Sequence, residues 1–85
     1  MTETAQYIAK SPRKRYILET LSDTPQTRYD LGFYNQGVAT RSRIYRIACL
    51  QALCGMGLAN EDRSNRAYRY TITREGAAVL AEITV

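Results

Sequence analysis

The chain has no histidine. That removes the commonest general base, and no Ser/His/Asp or Cys/His group can be assembled. There are only two cysteines, Cys49 and Cys54. Two thiols without a second ligand pair do not make a zinc site. Five positions along a helix turn through ~500°, so the two side chains diverge by ~140° and are not placed for a disulfide. They read as plain thiols of a reducing compartment. The five glycines fall singly or in the short stretch GMG, so no glycine-rich phosphate loop is present. Catalysis therefore has no positive signal: the expectation is a non-enzyme with no metal, cofactor or small-molecule ligand. No apolar run approaches the ~18 residues of a membrane span. The opening MTETAQYIAKSPRKR has no basic start followed by an apolar stretch, unlike a secretion signal. A soluble cytoplasmic protein is expected.

Acidic residues are missing from one stretch. Residues 31–60 carry three basic side chains and none acidic, whereas residues 1–30 carry five and four, and residues 61–85 four of each. The net charge is +4, and ten of the 12 cations are arginine. Arginine suits two-point contacts to phosphate, carboxylate or guanine. A chain of 85 residues with 45% apolar content is one small globular domain.

Residues 1–10 form a tail or a short helix, with Tyr7 and Ile8 available to dock on the domain or on a second copy. Ser11-Pro12 is a good helix start, because serine caps and proline needs no N–H at the first position. The helix runs to Leu21 with Ile17, Leu18 and Leu21 on one face, and Ser22–Pro25 ends it. Thr27-Arg28-Tyr29-Asp30 resembles a capping box and opens a second, shorter helix that buries Leu31 and Phe33 or Tyr34. Asn35-Gln36-Gly37 is a turn.

A third helix, capped by Thr40, runs to about Cys54. At ~100° per residue, Ile44, Ile47 and Cys54 form the arc expected to bury. Arg41, Ser42, Tyr45 and Cys49 form the opposite arc, with Arg46 beside it. Leu50 and Leu53 widen the apolar arc further on. Gly55 and Gly57 end the helix. Residues 58–61 and 67–72 read as two strands of a hairpin around the polar turn Arg63-Ser64-Asn65-Arg66. Tyr68, Tyr70 and Ile72 should share its core face, and Ala67, Arg69 and Thr71 the other. Thr73 caps a last helix with Val79, Leu80 and Ile83 as its stripe, and Gly76 marks a close backbone approach to the hairpin.

This order resembles a winged helix-turn-helix domain over roughly residues 11–83. SRIYRIACLQALCGMGLAN is similar to that family's recognition helix and its Gly-Leu exit, ANEDRSNRAYRYTIT to its wing, and ITREGAAVL to the helix that follows. Bacterial regulators of the multiple-antibiotic-resistance and phenolic-acid types carry close versions of all three. The segment GFYNQGVATR departs from the pattern, being longer than the tight turn of the compact motif. The fold expected is α+β and mostly helical: a three-helix core, a two-stranded β-wing and a C-terminal helix. Residues 11–85 form the domain and residues 1–10 lie outside it.

The resemblance implies a DNA-binding transcriptional regulator, with the third helix in the major groove and the wing on the backbone or in the minor groove. The side chains suit those tasks. Arg41 and Arg46 can bond guanine, and Ser42 and Tyr45 can reach bases or phosphates. Thr40 lies at the helix start, where free N–H groups favour a phosphate, and Arg43 should reach a phosphate. Arg63, Arg66 and Arg69 belong to the wing. Lys14 or Arg15, and Arg28, would add phosphate clamps. Arg46 has a second reading, an ion pair with Glu61 or Asp62 that holds the wing. A domain of this size reads a short site, so a two-fold dimer acting as a repressor is expected, with residues 1–10 or 74–85 as its surface. The alternative is a winged helix used for protein contact, such as a small phage inhibitor or an adaptor binding a host complex.

Overall fold

The computed structural model describes residues 1–84. Thr2 starts helix α1 (Glu3–Ala9), its hydroxyl accepting the Ala5 N–H at 3.1 Å. Ala5 and Ile8 on this helix are buried, so the first ten residues contribute to the core. Ser11 caps α2 (Pro12–Thr20), with Pro12 in the first turn, and buries Ile17 and Leu18.

The chain next forms β1 (Gln26–Thr27) and then a single turn in place of the expected second helix. The capping box does form. Asp30 N–H donates to the Thr27 hydroxyl at 3.1 Å, and Thr27 N–H donates to the Asp30 carboxylate at 3.0 Å. The helix stops because Gly32 takes φ +84°. Gly32 N–H then reaches the Tyr29 carbonyl and Phe33 N–H the Arg28 carbonyl, the hydrogen-bond pair that closes a helix end. Phe33 is carried into the core by that reversal.

Helix α3 (Thr40–Gly55) follows. Ala39, not Thr40, occupies its cap position, and no side chain caps it. Its far end repeats the device seen at Gly32. Gly57 takes φ +77°, Gly57 N–H bonds the Cys54 carbonyl, and Leu58 N–H bonds the Leu53 carbonyl at 3.0 Å. Leu53 and Leu58 are both buried, supplying the apolar contact that accompanies such an end.

Strands β2 (Ala59–Asp62) and β3 (Arg69–Ile72) form the hairpin, with Glu61 opposite Tyr70 and Asp62 opposite Arg69. β1 adds to the other side of β3, giving an antiparallel sheet in the order β1-β3-β2. Helix α4 (Arg74–Thr84) is capped by Thr73, whose hydroxyl accepts the Gly76 N–H at 3.0 Å and donates to the Gly57 carbonyl at 2.7 Å. Gly76 lies where a Cβ would overlap the Leu58 carbonyl oxygen and crowd Ile72 Cγ1 at 2.9 Å, so only glycine fits unstrained. α1 packs on α4, and Thr2 Oγ1 donates to Glu82 at 3.0 Å. Val85, the last residue of the expected dimer surface, lies outside the described residues.

The result is an α+β, helix-rich domain of winged-helix-like architecture. Ile8, Ile17, Leu18, Phe33, Leu50, Leu53 and Tyr70 are fully buried at its centre. No described helix is long and apolar enough to cross a membrane.

Cys49, expected on the arc opposite the buried one, is itself buried at 6% exposure, and two further expectations differ from the structure. Ile44 was assigned to the buried arc of α3, yet it is 63% exposed. The rotation of α3, which packs against α2 and β2, is set by its back half, where Cys49, Leu50 and Leu53 are buried. A straight helix carries that rotation forward, and the front half turns Ile44 outward. Tyr68 was assigned to the core face with Tyr70 and is 39% exposed instead. The ladder begins only at Arg69, so Tyr68 belongs to the wing loop and is not held by the sheet.

Candidate nucleic-acid interface

Arg41, Ile44, Tyr45 and Ala48 share one face of α3 through i, i+3, i+4, i+7 spacing, and all are exposed. Thr40 and Ser42 flank this face and are also exposed. The first N–H groups of α3 have no side-chain cap, so they are free donors at the positive end of the helix dipole. Arg43 and Arg46 lie about 150° round the helix from this face, on the side that packs against the domain, and are half-buried.

Of the 12 lysines and arginines, only Arg15 and Arg63 pair with a carboxylate among the described residues. Tyrosine takes the place of the acid. Arg13 lies over Tyr45 at 4.2 Å from the ring centre, Arg43 over Tyr34 at 4.6 Å and Arg63 over Tyr68 at 5.3 Å. Lys14 lies over Tyr7 at 5.4 Å, Arg28 over Tyr70 at 5.8 Å and Arg46 over Tyr16 at 6.0 Å. Six of the seven tyrosines thus each face a different cation. The distinction from an ion pair is chemical. A ring attracts the cation without consuming its charge or occupying its hydrogen-bond donors, so the fork of N–H groups stays available to an incoming anion.

No local signal in the sequence marks Arg13 or Tyr16. Their partners Tyr45 and Arg46 are about thirty positions away in the chain, and only the packing of α2 on α3 joins them. Together with Ser42 and Cys49 they line a cleft of about 250 Å³. Both cysteines are free. Burial and the nearby Glu61 carboxylate push the Cys54 thiol up from its ordinary value.

The wing is organised by Glu61. Its carboxylate accepts from Arg63 Nε, from Tyr70 Oη at 2.8 Å and from Gln51 Nε2 at 3.4 Å. The Arg63 hydrogen bond holds the Glu61 pKa below the usual carboxylate range, and the Tyr70 hydroxyl adds to this against partial burial. Burial, then the Glu61 bond, pushes Tyr70 up. Asp62 is held low by its hydrogen bonds from Ser64, whose N–H donates at 2.9 Å. Glu61 and Asp62 are therefore engaged within the wing, and neither forms an ion pair with Arg46 among the described residues.

Arg63 is likewise engaged, while Arg66 and Arg69 remain without an acidic partner in the wing. Of the two candidates on α2, Arg15 is bound to Glu19 at 2.8 Å and Lys14 is left free of acid. Arg28 lies on the wing side of the domain and faces Arg66 across a groove, away from the cleft at α3. Among the described residues, no three His, Cys, Asp or Glu side chains come together as a metal site would require.

Comparison of the chain with protein-family models, with curated proteins and with solved structures gives no match.

Proposed function

We propose that this domain is a sequence-specific double-stranded DNA-binding regulator of the multiple-antibiotic-resistance or phenolic-acid type, acting as a dimeric repressor. α3 enters the major groove and the wing lies along the backbone or minor groove. The observation that supports this best is the state of the cations around α3. Arg13, Arg43 and Arg46 are stacked on tyrosines and pair with no carboxylate among the described residues, Arg41 is exposed, and no acidic residue lies between Asp30 and Glu61. Such a surface presents charge in fixed positions and asks a partner to supply the anions.

The roles divide by position. Arg41 bonds a guanine edge, Ile44 and Ala48 meet thymine methyl groups, and Tyr45 combines a ring with a hydroxyl. Thr40, Ser42, Arg43, Arg46 and the open N–H groups of α3 bind phosphates. Arg66 and Arg69 of the wing, with Lys14 and Arg28, add backbone contacts; Arg63 joins them if DNA displaces Glu61. The outer surfaces of α1 and α4 form the two-fold contact, and two half-sites are read one helical turn apart.

One observation favours a second reading. Ile44 at 63% exposure and Tyr45 at 53% place apolar surface at the centre of α3, which also fits a protein partner with an acidic rim.

The deciding experiment measures affinity for mixed-sequence duplex DNA across salt concentrations, with Arg41→Ala alongside. A DNA binder loses affinity steeply as salt rises, and each lost phosphate contact makes the slope shallower by about 1. Arg41→Ala should weaken binding and relax preference at one base position. Binding that ignores salt, or no binding to any duplex, overturns the regulator and leaves the protein-contact reading.

A further inference from the structure

We propose that the groove between residues 28–34 and the wing tip is a stacking site for an unpaired nucleotide of single-stranded nucleic acid. The groove, about 210 Å³, is lined by Arg28, Tyr29, Tyr34, Arg66 and Tyr68, with no carboxylate along it. It brings together three tyrosines and two arginines from distant parts of the chain, and no residue of α3 lines it.

Tyr29 carries the case. Among the described residues it is the one tyrosine with no cation over its ring, and at 67% exposure it is the most open of the seven. It stacks instead on Tyr34, with centres 4.4 Å apart and planes inclined by 22°. Tyr34 is itself anchored, because Arg43 lies over it at 4.6 Å and also donates to the Phe33 carbonyl at 3.3 Å. The Tyr29 ring is thus one end of an aromatic stack whose other members are fixed. Its outer position accepts one more planar ring, and every nucleobase offers one.

The charge in the groove selects the rest of the ligand. Arg66 and Arg28 both line the groove, and neither pairs with a carboxylate among the described residues. Two guanidinium groups beside one groove attract a phosphate and can bond its oxygens. Asp30, the carboxylate next to Tyr29 in sequence, is already bound to the Thr27 N–H. A base on Tyr29 directs its phosphate toward Arg28 and Arg66, the two cations of the groove. In duplex DNA the base faces are occupied by their neighbours, so this site takes unpaired nucleotides.

The test is fluorescence-anisotropy titration with labelled oligothymidylate, oligouridylate, an abasic oligonucleotide of equal length, and a blunt duplex. Thymidylate or uridylate should bind more tightly than the abasic strand. The preferred of the two identifies DNA or RNA as the source of the nucleotide. Tyr29→Ala should weaken this binding by about five- to a hundred-fold, Tyr29→Phe should restore it, and Tyr29→Ala should leave duplex affinity within about two-fold. Melting temperature controls for folding, and the exposed position of Tyr29 makes a change there unexpected. Equal binding of abasic and base-bearing strands overturns the proposal, as does an unchanged affinity in Tyr29→Ala. Failure of the duplex reading is seen separately: Arg41→Ala affects only the duplex, so single-strand binding survives if the regulator reading falls.

Discussion

The guanidinium of Arg13 on α2 lies 4.2 Å from the centre of the Tyr45 ring on α3. This is the shortest of the six cation–ring contacts, and it ties a helix outside the expected DNA-reading element to the middle of that element. It fixes a charge beside the exposed face of α3 without cancelling it. If α3 reads DNA, Tyr45 acts in part by holding Arg13. Tyr45→Phe keeps the ring under Arg13 and loses only the hydroxyl, so it should weaken duplex binding less than Tyr45→Ala, which should weaken it by about two- to five-fold, the equivalent of ~0.5–1 kcal/mol. Equal affinity of the two variants would show that Arg13 needs no ring beneath it.

The two ends of the GMG stretch should respond to alanine with opposite signs. Gly55 is helical with open space around its Cα, so Gly55→Ala should stabilise the fold by about 0.5–1 kcal/mol. Gly57 takes φ +77°, and Gly57→Ala should destabilise it by about 1–2 kcal/mol. Urea unfolding of the two variants measures both; shifts of the same sign would contradict the helix end described above.

Gly76 should be less tolerant still. In an isolated helix, alanine would gain about 1 kcal/mol over glycine. Here the added carbon overlaps the Leu58 carbonyl oxygen and crowds Ile72, so α4 must move off the sheet. Gly76→Ala should be destabilising by about 1–3 kcal/mol in spite of its better propensity. A rise in unfolding midpoint would show that α4 can shift at little cost.

The wing should loosen in acid. The Glu61 pKa is lowered in the folded protein, chiefly by Arg63. The folded state therefore favours its charged form, and that stability is present above the ordinary glutamate value near ~4.3. It is lost as pH falls through the lowered folded value. Melting temperature measured from about pH 6 down to about pH 3 should drop, and Glu61→Gln should flatten the drop. Asp62, held low by Ser64, leaves a residual slope in that variant. An unchanged acid limb in Glu61→Gln would assign the loss to other carboxylates.

Tyr29 and Tyr34 offer a simple optical check on the aromatic stack. With no tryptophan in the chain, tyrosine dominates the near-ultraviolet circular dichroism. Tyr34→Ala should remove the coupled part of that signal and expose Tyr29 further. An unaltered spectrum would mean that the stack does not persist in solution.

Much of the fold was legible because its signals are local. Ser11-Pro12 and Thr73 cap helices through side chains within three residues of the N–H they accept. Gly57 ends α3 through its own φ, and Gly76 marks the close approach that glycine alone permits. The Thr27–Asp30 box was legible too, but its consequence was not. A capping box starts a helix and says nothing of its length, and Gly32 closes this one after a turn. Strand β1 escaped notice because two residues are too few for alternation to show.

The amino-acid sequence by itself determined where the charge lies along the chain, and which residues start α2 and α4 and stop α3. Both are properties of one residue and its near neighbours. The tertiary structure alone decided which way α3 faces, and so that Ile44 stands outside and Cys49 inside. It also decided which tyrosine lies under which cation, joining Arg13 to Tyr45, Arg46 to Tyr16 and Arg28 to Tyr70. The physical reason is the same in each case. A helix rotates as a whole to satisfy its best-buried end, and a flat ring attracts whichever cation the packing brings above it.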